Sequence, residues 1–279
     1  DRFQAIADQY FGHPITLNFV LHIEGSNPQT VEPSPSEGRF EPKEAVISLD
    51  SNSIEEQSFE IEDHSKLNPN LTFETFVTGK ANQLARAASI QVAHNPGTSY
   101  NPMFLYGGVG LGKTHLAQAI GNEIKRTLTD KLVLYVSCEK FTQQFVDALK
   151  NNNINDFVNF YQAMDVLIMD DVHNFAGKEK TQDIFFHIFN HLHQSGRQII
   201  MTSDRRPSEL QGLQDRLLSR FKWGLTADLQ QPDLETRIAI IQRKLQAEGI
   251  YIDAGVIEYV AHSVNTNVRE LEGVIISLM

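Results

Sequence analysis

The sequence of 279 residues contains a single cysteine, Cys138. One thiol excludes an internal disulfide framework and a Cys-rich zinc site, and it fits a reducing compartment, the cytoplasm. No run of about 18 apolar residues occurs, so no membrane-spanning helix is expected. The opening residues, DRFQAIADQY, lack a basic stretch followed by an apolar one, so no secretory leader is expected. Basic residues are also scarce: 24 Lys and Arg face 35 Asp and Glu, a formal charge of −11. That excess argues against a nucleic-acid partner unless positive charge is concentrated locally. What is present is ordinary for a globular chain, with 41% hydrophobic and 21% charged residues. The length allows one large domain or two to three smaller ones, and no internal repeat is visible.

The charge is unevenly spread. Residues 24–66 hold 11 acidic and three basic residues (Arg39, Lys43, Lys66), a net of −8, in a stretch rich in Pro, Ser, Asn and Glu. Such a composition cannot offset its ordering entropy by burial, which predicts a disordered acidic linker. Before it, residues 1–23 read as a short helix and a strand, too little to fold alone. They look like the tail of a domain cut upstream. From Leu67 the pattern alternates. Apolar strands are predicted at 103–107, 132–136, 166–170 and 198–203, with helices between them, for example 114–128 and 180–195. Apolar strands separated by helices predict an α/β fold with a parallel sheet covered on both faces. After about residue 227 only helices are expected. The chain therefore divides into a nucleotide-binding base, 67–226, and a helical unit, 227–279, whose last helix stops at Met279 without a cap.

Gly107–Thr114, GGVGLGKT, has the form G-x-x-x-x-G-K-[ST] between an apolar strand and a helix. Glycines permit a tight loop whose amide N–H groups face phosphate oxygens, and the helix N-terminus favours an anion. Gly107, Gly108, Val109, Gly110, Leu111, Gly112, Lys113, Thr114 and His115 are therefore the expected nucleotide-binding residues. Lys113 can reach the β- and γ-phosphates of ATP or the β-phosphate of ADP, and the Thr114 hydroxyl can ligate Mg²⁺. The strand Val166–Asp171, VLIMDD, delivers two carboxylates at its C-terminal end: Asp170 is expected to hold Mg²⁺ through water and Asp171 to orient an attacking water. A further strand ends in TSDRRP, where Asp204, or else Ser203, is expected to sense the γ-phosphate. A capped turn before Pro207 explains that cluster equally well.

Taken with these motifs, LNPNLTFETFVTG (67–79), YNPMFLYGGVGLGKTHLAQAIGN (100–122), MDDVHNFAGKEKTQDIFFHIFN (169–190), IIMTSDRRPSEL (199–210), DRLLSRFKWGL (215–225) and NVRELEG (267–273) form an ordered set. The set resembles the DnaA family of bacterial chromosomal replication initiators, within the AAA+ P-loop ATPases, over nearly all of residues 67–279. The resemblance implies that residues 67–79 pack near the adenine. It implies that Arg220 is an arginine finger contacting ATP on a neighbouring subunit, with Arg216 a second inter-subunit arginine, and that Arg269 reads the γ-phosphate in cis from a helical lid. It also implies head-to-tail self-assembly under ATP, slow hydrolysis as the off-switch, and single-stranded DNA contacts at Val146, Lys178 and Lys180. Read without the family, these lysines are a solvated Lys-Glu-Lys run and the arginines surface ion-pair formers. Double-stranded origin recognition, partner-helicase contact and membrane-lipid contact are implied only for full-length members, since the DNA-reading helix-turn-helix and most of the N-terminal domain are not in this sequence.

Two alternatives remain: a related AAA+ helicase loader or regulatory inactivator of the initiator, and a P-loop enzyme phosphorylating a small substrate. Residues 1–66 favour the initiator family over the former. Other features carry bland readings. His187 and His191 sit four apart on a helix without a third ligand, so zinc is not expected. Cys138 reads as an inert buried thiol. Phe221 and Trp223 read as core packing, and Phe185, Phe186 and Phe189 as a helix core stripe.

Overall fold

The computed structural model describes residues 67–278; the helix, strand and linker expected within 1–66 lie outside the described residues. A loop segment, 67–82, leads into α1 (Gln83–His94). Then follow β1 (Met103–Tyr106), α2 (Lys113–Thr127), β2 (Val133–Ser137), α3 (Cys138–Lys150), α4 (Ile154–Gln162) and β3 (Val166–Asp170). After a 3-10 turn at Val172–Phe175 come α5 (Glu179–Gln194), β4 (Gln198–Ser203), α6 (Asp215–Phe221) and β5 (Leu225–Asp228). Three helices follow: α7 (Leu234–Ala247), α8 (Ala254–Ser263) and α9 (Val268–Leu278).

The five strands form one parallel sheet in the order β2-β3-β4-β1-β5. Every residue of β3 and β4 is buried, as expected of central strands covered on both faces. The pleat still sorts their side chains. Phe104, Leu167, Met169, Ile199 and Met201 enter a core with Phe141, Phe157, Phe185, Phe189 and Phe221 from α3–α6. Met103, Leu105, Val166, Ile168 and Ile200 point the other way, against Val92, Leu116, Ile120 and Ile124 from α1 and α2. This is the two-residue strand period acting on runs that are apolar throughout. Helices α7–α9 bury a cluster of their own around Ile241, Leu245, Ile257, Val260, Leu271 and Ile275. Side chains of Asp233 and Asp253 start α7 and α8 by accepting from the N–H groups of Thr236 and Gly255.

Strand β5 was not among the expected strands, and the expected base boundary at 226/227 falls inside it. Its four residues, LTAD, are only partly buried and pair on one side alone, with β1. A short half-polar edge strand carries little periodic signal. Other ends moved by one residue. The strand expected to reach Gly107 stops at Tyr106, that expected at 132–136 runs over Val133–Ser137, and the helices expected to open at Thr114 and Lys180 open at Lys113 and Glu179.

Candidate nucleotide-binding site

The strand order brings three pieces of distant sequence together. Because β4 lies between β1 and β3, the loop after β1, the carboxylates after β3 and the polar end of β4 converge at one sheet edge. The loop leaves β1 at Gly107, whose N–H donates to the Ser203 carbonyl, 3.3 Å away. Gly110 (φ +73°) and Gly112 (φ +91°) adopt left-handed conformations that other residues rarely take, and Gly112 opens α2 directly. At Gly110 a side chain is excluded twice over, since a Cβ would lie 2.8 Å from Asn267 Oδ1.

Lys113 is buried, and three acceptors take its ammonium: the carbonyls of Gly107 (2.9 Å) and Gly108 (2.8 Å), and Asp204 Oδ1 (2.7 Å). Of the two residues considered at the end of β4, Asp204 is therefore the one touching Lys113. Ser203 is fully buried, and its hydroxyl accepts from the N–H of Arg205. Asp170, also buried, accepts from the hydroxyls of Thr114 (2.9 Å), Tyr135 (2.7 Å) and Thr202. Burial and the Asp170 charge push the Tyr135 phenol far above its ordinary range, so it stays protonated and donates. Asp171 takes a left-handed backbone (φ +58°), and its N–H donates to Thr202 Oγ1 at 2.9 Å. Burial, then the neighbouring Asp170, raises the Asp171 carboxyl above the ordinary carboxylate range; His173 and Lys113 oppose that rise. His173 faces Asp204: its Nδ1 accepts from the Asp204 N–H at 3.4 Å and its Nε2 lies 3.6 Å from Oδ2. Asp171, His173 and Asp204 also form the one group among the described residues with three side chains close enough to share a metal ion.

Tyr135, Thr202 and His173 were not expected at the site. Thr202 and His173 do lie inside the quoted motifs TSDRRP and MDDVHNF, but only the strand order reveals which carboxylate each meets.

A cleft of about 570 Å³ lies beside the loop. Its walls include Asn68, Phe76 and His115 on one side and Ile240, Arg243 and Glu272 from α7 and α9 on the other. Segment 67–82 is pinned to α2: Asn122 donates to the carbonyls of Asn68 and Leu71, both at 2.8 Å, and Gln118 accepts from the Asn68 N–H at 2.8 Å. His115 Nε2 lies 3.0 Å from the Thr72 carbonyl, and its ring meets Phe76 edge-on at 5.2 Å. Burial holds the His115 pKa below the usual histidine value, so the imidazole is neutral at pH 7. Val109 is exposed, whereas Leu111 is buried. Across the loop, the Val268 N–H donates to the Gly110 carbonyl (3.0 Å), and exposed Arg269 stands with its Cβ 3.1 Å from the position a Gly110 Cβ would take.

Other expected site residues stand elsewhere. Arg216 and Arg220 lie on α6 and find their partners on α5. Arg216 pairs with Asp183, and Arg220 Nε donates to Asn190 Oδ1 at 2.8 Å. Val146 is exposed on α3, and Lys178 and exposed Lys180 lie at the start of α5. His187 and His191 are both exposed on α5. Cys138 is fully buried, and burial pushes its thiol up to about 12. Two packing expectations need correction. Phe221 is core, but Trp223 is 52% exposed, and Phe186 is only partly buried because it supports the guanidinium groups of Arg216 and Arg220. Hydrophobicity alone does not distinguish an aromatic that fills a core from one that carries a cation.

A glycine loop between strand and helix, a lysine within it, a threonine on a strand-end aspartate, and a second polar strand end between them define a P-loop nucleoside triphosphatase of the AAA+ type. The profile of the bacterial DnaA ATPase domain matches residues 67–228. The chain belongs to the DnaA family. The chromosomal replication initiator protein DnaA of Flavobacterium psychrophilum is 56% identical over 216 residues, 77% of this chain and 45% of that protein. The chain thus spans about half the length of the curated relatives it matches. Among solved structures, domain III of the Thermotoga maritima replication initiation protein DnaA superposes with a TM-score of 0.73 at 47% identity, covering 75% of this chain and 88% of that one. A replication initiator DnaA bound to AMPPCP and single-stranded DNA gives 0.71 at 45% identity, covering 75% and 65%. Among the described residues, no helix is long and apolar enough to cross a membrane.

Proposed function

We propose that this chain is the ATP-controlled assembly switch of a bacterial chromosomal replication initiator acting in the cytoplasm. The observation carrying the reading is the convergence at Lys113: its ammonium is shared between loop carbonyls and Asp204, beside the Thr114–Asp170 pair. Those acceptors occupy the donors that the β- and γ-phosphates would take. Adenine fits the cleft between segment 67–82 and the helical unit, where neutral His115 and Phe76 offer flat apolar and polar contact. The hydroxyl of Thr114 and the carboxylate of Asp170 are hard oxygen ligands beside the loop, a donor set suited to Mg²⁺. That ion would neutralise charge on the phosphates. Asp171 orients the attacking water, and Asp204 acts on the γ-phosphate indirectly, through the Lys113 ammonium it holds.

Helices α7–α9 act as a lid that brings Arg269 to the loop in cis. Arg220, with Arg216, reaches the nucleotide of the next subunit. Such head-to-tail contacts are heterologous and extend when they do not close. Hydrolysis removes the charge that the trans arginine reads and so favours disassembly. The site has Asp171 where many fast AAA+ motors have a glutamate, which supports slow turnover. Val146, Lys178 and Lys180 contact single-stranded DNA within the assembly, while double-stranded origin DNA, a replicative helicase and lipids are partners of full-length members. Sequence relatives at 56% identity are initiators, which favours this reading over a helicase loader or a regulatory inactivator.

Sedimentation of the protein with ATP, with ADP and as the Arg220→Ala variant tests the proposal. ATP should enlarge the wild-type particle, ADP should not, and the variant should stay small while binding ATP normally. A particle of one size under all conditions overturns the switch.

A further inference from the structure

The two α6 arginines are held in different ways. Arg216 is neutralised: it pairs with Asp183, and its Nε donates to Gln214 Oε1 at 2.6 Å. Arg220 is in no ion pair among the described residues. Its guanidinium carbon instead lies 3.9 Å from the centroid of the Trp223 ring and 5.4 Å from that of Phe186. Its Nε–H is taken by Asn190. The plane is thus fixed on a face and an edge, while the two terminal amino groups keep their donors for another acceptor.

The Trp223 ring is itself supported from the core. His193 packs against it at 5.0 Å and stacks on buried Phe189 at 6.0 Å and 8°. The His193 Nε2 lies 3.2 Å from the Asn101 carbonyl. Gly224 closes the arrangement: a Cβ there would sit 1.8 Å from the Pro102 carbonyl oxygen, so the chain after Trp223 lies directly against that loop. About half of the indole is exposed, while its inner side rests on this ladder.

We infer that Trp223 is a positioning residue for Arg220: its ring holds the guanidinium unpaired and oriented toward the phosphates of a second copy of this chain. The inference rests on the reading of Arg220 as the trans arginine. A carboxylate partner would hold the side chain equally well but would neutralise the charge that the neighbour's phosphates need. An aromatic face holds it and leaves the charge available.

Because Trp223 is the chain's sole tryptophan, its fluorescence reports the stack before any assembly. A cation on the ring draws iodide and repels caesium. The ratio of iodide to caesium quenching should fall by about twofold or more in Arg220→Ala under ADP. An unchanged ratio overturns the inference, whatever the assembly data show. In ATP-dependent sedimentation, Trp223→Ala should weaken association about 3- to 10-fold and Trp223→Phe by no more than about twofold, with ATP affinity of the single subunit unchanged in both. If Arg220→Ala abolishes assembly while Trp223→Ala assembles as wild type, or if Phe fails as badly as Ala, the positioning role falls and the trans arginine stands. If Arg220→Ala assembles normally, the trans reading itself falls. Should Trp223→Ala lose ATP affinity through misfolding, the Phe variant and the quenching ratio decide.

Discussion

The Lys113–Asp204 contact acts as an internal competitor for the phosphates, and Asp204→Asn measures it. Lys113 has three N–H donors, and Gly107, Gly108 and Asp204 take them all. A hydrogen bond to a charged group contributes about 1.5–3 kcal/mol and a neutral one about 0.5–1.5. The substitution keeps the shape and an acceptor oxygen but removes the charge. Lys113 is only 6% exposed, whereas Asp204 is 33% exposed, so solvent screens part of the pair. The expected loss without nucleotide is therefore about 1–1.5 kcal/mol. At about 2–4 °C per kcal/mol for a domain of this size, Tm should fall by about 2–6 °C. The same free energy returns when a β-phosphate takes over Lys113, so ADP should bind about 5- to 12-fold more tightly to the variant. ADP is the right ligand because it offers Lys113 a β-phosphate and leaves the proposed γ-phosphate role of Asp204 out of the comparison. Thermal melts with and without ADP, and titration calorimetry, read both quantities. A variant that melts like wild type without nucleotide, or that loses stability and ADP affinity together, refutes the competition.

Four further outcomes are expected. The raised Asp171 carboxyl binds its proton more tightly folded than unfolded, so folding stability falls as pH rises from the ordinary value of 3.8 through the raised one; Asp171→Asn should raise Tm at pH 7 while abolishing hydrolysis, and equal melting would argue against the burial. For the same reason, ATP hydrolysis should decline on acidification at a pH above that of an ordinary carboxyl, as a pH–rate profile would read. Asp171→Glu should speed turnover if the shorter acid limits it; unchanged or slower phosphate release counts against that account. Cys138, with its thiol held up to about 12, should resist a thiol reagent at pH 8 until denaturant is added, and prompt labelling of the folded chain would contradict its burial.

The parts of the site that could be read in the sequence were those whose chemistry is local in the chain. Gly107–Thr114 is a contiguous loop, and Asp170 and Asp171 end a strand whose apolar run announces itself. Tyr135, Thr202 and His173 were missed because each acts across the sheet, and strand order is not written in any local pattern. Tyr135 sits on β2 and reaches Asp170 only because β2 pairs with β3 in register, Ser137 beside Asp170. β5 was missed because four half-polar residues on an edge leave almost no period to detect. Trp223 was misassigned because a large apolar residue beside a buried Phe221 predicts core, while its partner, Arg220, appears only once α6 and the following turn are folded.

The acidic excess of the chain weighs less against a nucleic-acid partner once its position and the ion pairs are known. With −8 of the net −11 in residues 24–66, the remaining chain is nearly balanced, and several of its cations are already engaged: Lys113 by Asp204, Arg197 by Asp165, Arg216 by Asp183. Arg220, Arg269, Lys178 and Lys180 are in no ion pair among the described residues, and these are the positions the resemblance assigns to phosphates. Those four cations on one subunit neutralise too few phosphates to hold a polyanion at physiological salt, because counterion release grows with the number of contacts. Repetition along an assembly multiplies that number without adding a charge to the subunit. A nearly neutral core is therefore compatible with DNA binding provided that assembly comes first. If the proposed ATP-dependent assembly holds, DNA affinity is also subordinate to the nucleotide, because ATP then sets whether the cations are lined up.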